Sequence, residues 1–127
     1  MIPSFFPQDP IAMRWIKRLI KFYILIFIAT QVTTVWFSTH CIPENFGLIN
    51  TSTHVIDFWR YLTYSFLHEN FLHILCNMIM FYTLCHFLLV YELRLKSLLG
   101  LYFTGIVIGG ISWVFLHNQQ PTQLLTG

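Results

Sequence analysis

The sequence predicts an all-α membrane protein, with three transmembrane helices and a long structured loop between the first and the second. Three observations carry that expectation. Of the 127 residues 56% are hydrophobic and only 9% are charged, with a mean hydropathy of +0.63, whereas soluble domains carry about 25% charged side chains. Three runs are apolar and close to the length needed to cross a hydrocarbon layer about 30 Å thick. Six of the seven Lys and Arg side chains fall on one side of a three-span arrangement. This composition excludes a water-soluble globule and a disordered tail. Nucleic acid is not indicated as a partner, because the net charge is only +2 and the cations do not alternate with aromatics along one surface. Cys41, Cys76 and Cys85 show neither a disulfide framework nor a zinc-type spacing.

The first run, 22–37, reads FYILIFIATQVTTVWF and carries no charge. Lys21 is placed to snorkel at one end and Trp36 to sit at an interface at the other. No small-residue cleavage site follows it, so it reads as a retained span, with residues 1–21 as a cytoplasmic N-terminal segment. The second run, 71–91, contains no Asp, Glu, Lys or Arg, and the third, 98–116, is equally free of charge and carries Gly100, Gly105, Gly109 and Gly110. Between the first two lie about 33 residues, Ser38 to Asn70, rich in aromatics and interrupted by Pro43, Gly47 and a polar stretch at 50–53. That length and composition predict a structured loop, not a tight turn.

Orientation follows from the cations, which short cytoplasmic segments retain. Arg14, Lys17, Arg18 and Lys21 precede the first span and Arg94 and Lys96 separate the second from the third, while Glu44, Asp57, Glu69 and the remaining cation, Arg60, lie in the long loop. The N-terminus is therefore expected in the cytoplasm and the loop outside.

Polar residues inside an apolar span are the first candidates for function. His73 and Asn77 are four residues apart and so about 40° apart on a helix, on one face. Such a pair either lines a wet cavity or ties neighbouring helices together. On a continuous helix His68 would stand about 140° from His73, which assigns it to the loop edge or to another face. A metal or haem site built from His68, His73 and His86 does not fit, since His73 and His86 are thirteen residues apart and project in different directions. Gly105 to Gly109 forms a GxxxG strip that allows close backbone approach. Ser112 is read as a helix-packing hydroxyl, because Trp113 crowds the last position of a GxSG-like turn, and Ser65 as a local backbone-bonding residue.

Asp57-Phe58-Trp59-Arg60, Tyr61-Leu62-Thr63 and the HxxxxHxxxN pattern running from His68 through His73 to Asn77 closely resemble the rhomboid family of intramembrane serine proteases. Glu92-Leu93-Arg94 resembles the acidic and basic pair that the family places at the cytoplasmic end of the same helix, and Gly109-Gly110 its small residues in the next. The likeness covers about 22–127 and implies a partial rhomboid domain, the first half of a six-helix core, in a multi-pass protein of a bacterial inner membrane. It implies serine endopeptidase chemistry on transmembrane substrates with no cofactor and no metal. His73 and Asn77 match the positions that help stabilise the tetrahedral oxyanion; Trp59, Arg60, His68, Glu92, Arg94, Gly105 and Gly109 take structural roles.

The departures are as specific as the likeness. Cys85 and His86 stand where many members have glycines that support a close helix contact, and the fifteen residues from Asn77 to Glu92 make the helix almost one turn longer than usual. The family's serine, in GxSG on its fourth helix, and its histidine on the sixth have no counterpart here. Gly127 falls near the expected GxSG, so the sequence downstream is expected to encode x-Ser-Gly and further spans. This chain by itself is expected to be inactive; the alternatives are a non-catalytic relative that binds transmembrane clients and a truncated gene remnant.

Overall fold

A chain in hydrocarbon must satisfy its backbone N–H and C=O groups within its own segment, so the apolar runs become helices. The computed structural model describes residues 10–50, 57–91, 93–117 and 123–126. In order, its elements are α1 (Pro10–Trp36), α2 (Cys41–Phe46), β1 (Leu48–Ile49), α3 (Arg60–Thr63) running into a 3-10 turn at Tyr64–Phe66, α4 (Phe71–Val90), α5 (Leu95–His117) and β2 (Leu124–Leu125). Helices α1, α4 and α5 are each long and apolar enough to cross a membrane.

α1 is already helical at Pro10, well before Phe22. Proline suits a first helical turn, and the Arg, Lys, Met and Leu residues that follow are good helix formers. Hydropathy marks where hydrocarbon begins; it does not mark where the helix begins. The cationic stretch therefore continues α1 and packs. Ala12 and Ile16 form a buried cluster with Cys85 and Leu89 of α4 and Leu98 of α5. This contact joins the start of α1, the end of α4 and the start of α5, and so brings Arg14, Lys17, Arg18 and Lys21 to the same end as Arg94 and Lys96. Within it Cys85 is 2% exposed and Ala12 fully buried. Glu92 lies outside the described residues, as does Gly127, and Arg94 is exposed.

At the opposite end the loop is tied together by Arg60, which is 8% exposed. Its Nε donates to Asp57 Oδ2 at 2.9 Å, and its Nη1 donates to the carbonyls of Glu44 at 2.7 Å and Gly47 at 2.6 Å. A planar fork of donors can bridge these acceptors at once; a lysine ammonium has one point of charge for the same task. The Thr63 hydroxyl donates to the Phe46 carbonyl at 2.7 Å, and the half-exposed Trp59 donates from Nε1 to the Asn45 carbonyl at 3.4 Å. β1 and β2 pair antiparallel, Leu48 opposite Leu125 and Ile49 opposite Leu124. Asn50 secures this pairing: its amide donates to the His117 carbonyl and its Oδ1 accepts from Gln123 N, both at 2.8 Å.

The glycine contact on α5 lies one residue beyond the expected strip. Nothing comes within 4 Å of where a Cβ on Gly105 would be, and one on Gly109 would meet only the Tyr64 hydroxyl at 3.4 Å. A Cβ on Gly110 would lie 3.1 Å from both Leu48 and the Tyr64 ring. The Tyr64 hydroxyl donates to the Ile106 carbonyl at 2.8 Å, one turn before Gly110, where the missing side chain opens a path to the backbone. The loop therefore seats at Gly110, beside the strip that a second helix was expected to use. Ser112, about 200° round the helix from Gly110, is exposed and its hydroxyl makes no hydrogen bond among the described residues, in contrast to its expected packing role. Ser65 donates to the Leu62 carbonyl at 2.9 Å.

Gly110→Val is expected to cost about 1 to 3 kcal/mol by overpacking the loop. Gly105→Ala, into open space, is expected to be neutral or stabilising by up to about 1 kcal/mol. Thermal unfolding in detergent micelles compares the two, and equal effects would show that Gly110 is not the loop's seat.

Candidate active site at the start of α4

Asn70 determines where α4 begins. Its extended backbone (φ −148°, ψ 167°) breaks the chain direction, and its side chain accepts from His73 N at 2.9 Å, a cap on the otherwise unpaired first turn. This sets His73 in the first turn and Asn77 one turn on. Because the helix starts at Phe71, His68 is not bound by helical spacing; Leu67 is extended, and the incoming chain folds His68 back against α4.

The result is a cluster that helical angles alone did not anticipate. His68 is 3% exposed. Asn77 Nδ2 lies 3.1 Å from His68 Nε2. The His73 ring packs edge-on to His68 with centroids 5.0 Å apart, and Tyr23 of α1 does the same from another side at 5.7 Å. His73 and Asn77 are both half-buried. A cavity of about 270 Å³ opens beside them, lined by residues that include Tyr23, Tyr64, Ser65, His68, Asn77 and Tyr102. Tyr23 and Tyr102 hydrogen-bond to each other across it. Asn77 thus turns inward to the cavity, while His73 stands beside it against His68 without lining it.

With the Asn77 amide donating, His68 Nε2 is the acceptor and the ring proton sits on Nδ1. That Nδ1 is buried with no hydrogen-bond partner. Burial holds the imidazole below its usual pKa; the Phe66 backbone pulls weakly the other way, and the neighbouring His73 adds to the lowering. His68 therefore stays neutral, which suits an acceptor facing an amide N–H.

Sequence spacing missed two residues that position this site. Asn70 could have been found by the rule that Asn caps a helix just before an apolar run. Glu69 had no local signal: its carbonyl accepts from Gln31 Nε2 of α1 at 3.4 Å and its Oε1 from the Thr126 hydroxyl at 3.3 Å, so it joins three distant segments. His86 lies near Tyr82 with centroids 6.2 Å apart, three turns from the cluster. Among the described residues no serine hydroxyl is hydrogen-bonded to a histidine, and no group of three His, Cys, Asp or Glu side chains is placed to hold a metal.

The depressed His68 pKa has a sign that can be measured. As pH falls below about 6.5, the unfolded chain takes up a proton that the folded chain still refuses, so stability declines with falling pH until the folded group also protonates. In His68→Gln that part of the slope is expected to vanish; an unchanged slope in unfolding experiments across pH 4 to 7 would assign it elsewhere.

No curated protein and no solved structure gives a match to this chain. The family model for the Rhomboid domain matches residues 56–127, more than half of its length. That match takes in the loop arginine, both histidines of the cluster and Asn77, and by it the chain belongs to the rhomboid family.

Proposed function

We propose that these residues form the oxyanion-binding half of a rhomboid-type intramembrane serine endopeptidase, and that the 127 residues alone do not hydrolyse peptide bonds. The observation that carries this reading is the Asn77 amide turned into a cavity, with one N–H on His68 and the other left for a ligand. When a nucleophile attacks a peptide carbonyl, charge gathers on its oxygen, and fixed donors in a water-poor site stabilise that charge without reorganising. Asn77 supplies a donor from within the cavity and His73 a second from beside it. His68 acts as a positioning residue by holding the amide in one orientation, and the Arg60-tied loop acts as the scaffold that carries His68. The nucleophile and its base belong to residues other than these. In the same proposal the six-cation end faces the cytoplasm and the Arg60 loop the outside.

The topology is tested in a Cys76→Ala background, where exposed Cys41 in the loop is expected to react with a membrane-impermeant thiol reagent applied from outside. Protection there together with labelling from the inside reverses the assignment.

The chemistry is tested by reading the genomic sequence downstream for x-Ser-Gly and a later histidine, and by assaying a transmembrane reporter with both chain lengths. The extended chain is expected to cleave, and His73→Ala or Asn77→Ala to lower kcat about 10²- to 10³-fold. Hydrolysis by the 127-residue chain that a serine-reactive inhibitor abolishes would overturn the proposal. Uncut reporter that stays bound to either length would favour client binding without catalysis.

A further inference from the structure

The cationic end of the molecule carries a groove as well as charge. Arg14, Lys17, Arg18 and Lys21 are exposed and occupy an arc of about 100° on α1. Arg94 and Lys96, also exposed, stand at the start of α5. The described acids, Glu44, Asp57 and Glu69, belong to the loop at the other end; by sequence, this end sets six cations against Asp9 and Glu92, which lie outside the described residues. At the edge of the cationic arc α1 and α5 part to leave a groove of about 300 Å³, lined by Trp15, Arg18, Leu19, Leu99 and Phe103. Apart from Arg18 its lining is apolar. The Arg18 guanidinium lies over the Trp15 ring, 5.0 Å from its centroid, which steadies the charge on the rim. Further along, the same two helices are joined by a hydrogen bond between Tyr23 and Tyr102.

We propose that this groove binds an anionic glycerophospholipid, with an acyl chain along Leu19, Leu99 and Phe103 and the phosphate at Arg18. The two halves of the groove call for those two parts of one molecule. An apolar helix from a partner would leave Arg18 unanswered, and a zwitterionic lipid would bring its own cation to a rim already crowded with them. Lys17 and Lys21 flank Arg18 on the same arc and extend the anion site, and a tryptophan at this level is suited to the headgroup boundary.

Native mass spectrometry of the whole chain released from nanodiscs of mixed phosphatidylcholine and phosphatidylglycerol tests the assignment. One retained phosphatidylglycerol is expected, preferred about fivefold over phosphatidylcholine, as one cation at the surface allows. Arg18→Gln, an exposed change that leaves the core untouched, is expected to remove the preference, and Arg94→Gln to keep it. Glycerophosphoglycerol, the headgroup without chains, is expected not to displace the lipid. Equal retention of both lipids, displacement by the headgroup alone, equal loss in Arg18→Gln and Arg94→Gln, or a polypeptide retained in place of lipid would each overturn the proposal.

Discussion

The docking of Tyr64 onto α5 is the contact on which the site depends. Between Trp59 and Phe71 the chain must cross from the loop to a spanning helix beside apolar surface, where an unpaired polar group costs several kcal/mol. Tyr64 resolves this by resting its ring against Gly110 and its hydroxyl on the Ile106 carbonyl. Arg60, one turn earlier, ties the same segment to the two preceding carbonyls of the loop. With those two residues seated, His68 has little freedom, and it comes to rest against α4. The geometry of His68 and Asn77 is thus a consequence of a phenol fitting a missing side chain on another helix.

The same logic explains why the cluster is polar yet compact. The polar side chains at the site come from different elements and meet one another: Tyr23 from α1, His73 and Asn77 from α4, Tyr102 from α5. The exception is His68 Nδ1, buried and without a partner. It belongs to the ring whose other nitrogen faces Asn77, the amide that lines the cavity among the described residues. It lies where the proposed chemistry occurs, whereas Arg60 and Asn50 elsewhere in the loop are both hydrogen-bonded.

At the other end the helices are held by apolar contact, and the cations are left over. Ala12, Ile16, Cys85, Leu89 and Leu98 join all three spans in one cluster, so α1 is anchored without the use of Arg14, Lys17, Arg18 or Lys21. The two ends therefore differ in kind: hydrogen bonds organise the loop end, and packing organises the cationic end, where the charged groups stay exposed.

The all-α class and the three helices long enough to span, among the described residues, were legible in the sequence, because sparse charge and long apolar runs are properties of composition that no tertiary contact alters. The shared face of His73 and Asn77 was legible too, since helical spacing alone sets it. Three things were decided only in the folded molecule. The helicity of α1 already at Pro10 was hidden because lysines and arginines lower hydropathy without opposing helix formation. The glycine contact moved to Gly110 because its partner is a loop tyrosine, whose reach no helical repeat encodes. His68 joined Asn77 because a bend at Leu67 and the cap at Asn70 released it from the periodicity by which it was judged. Local pattern describes what a segment can become; which distant side chains meet depends on how the loop is seated, and that is settled by packing between segments far apart in the chain.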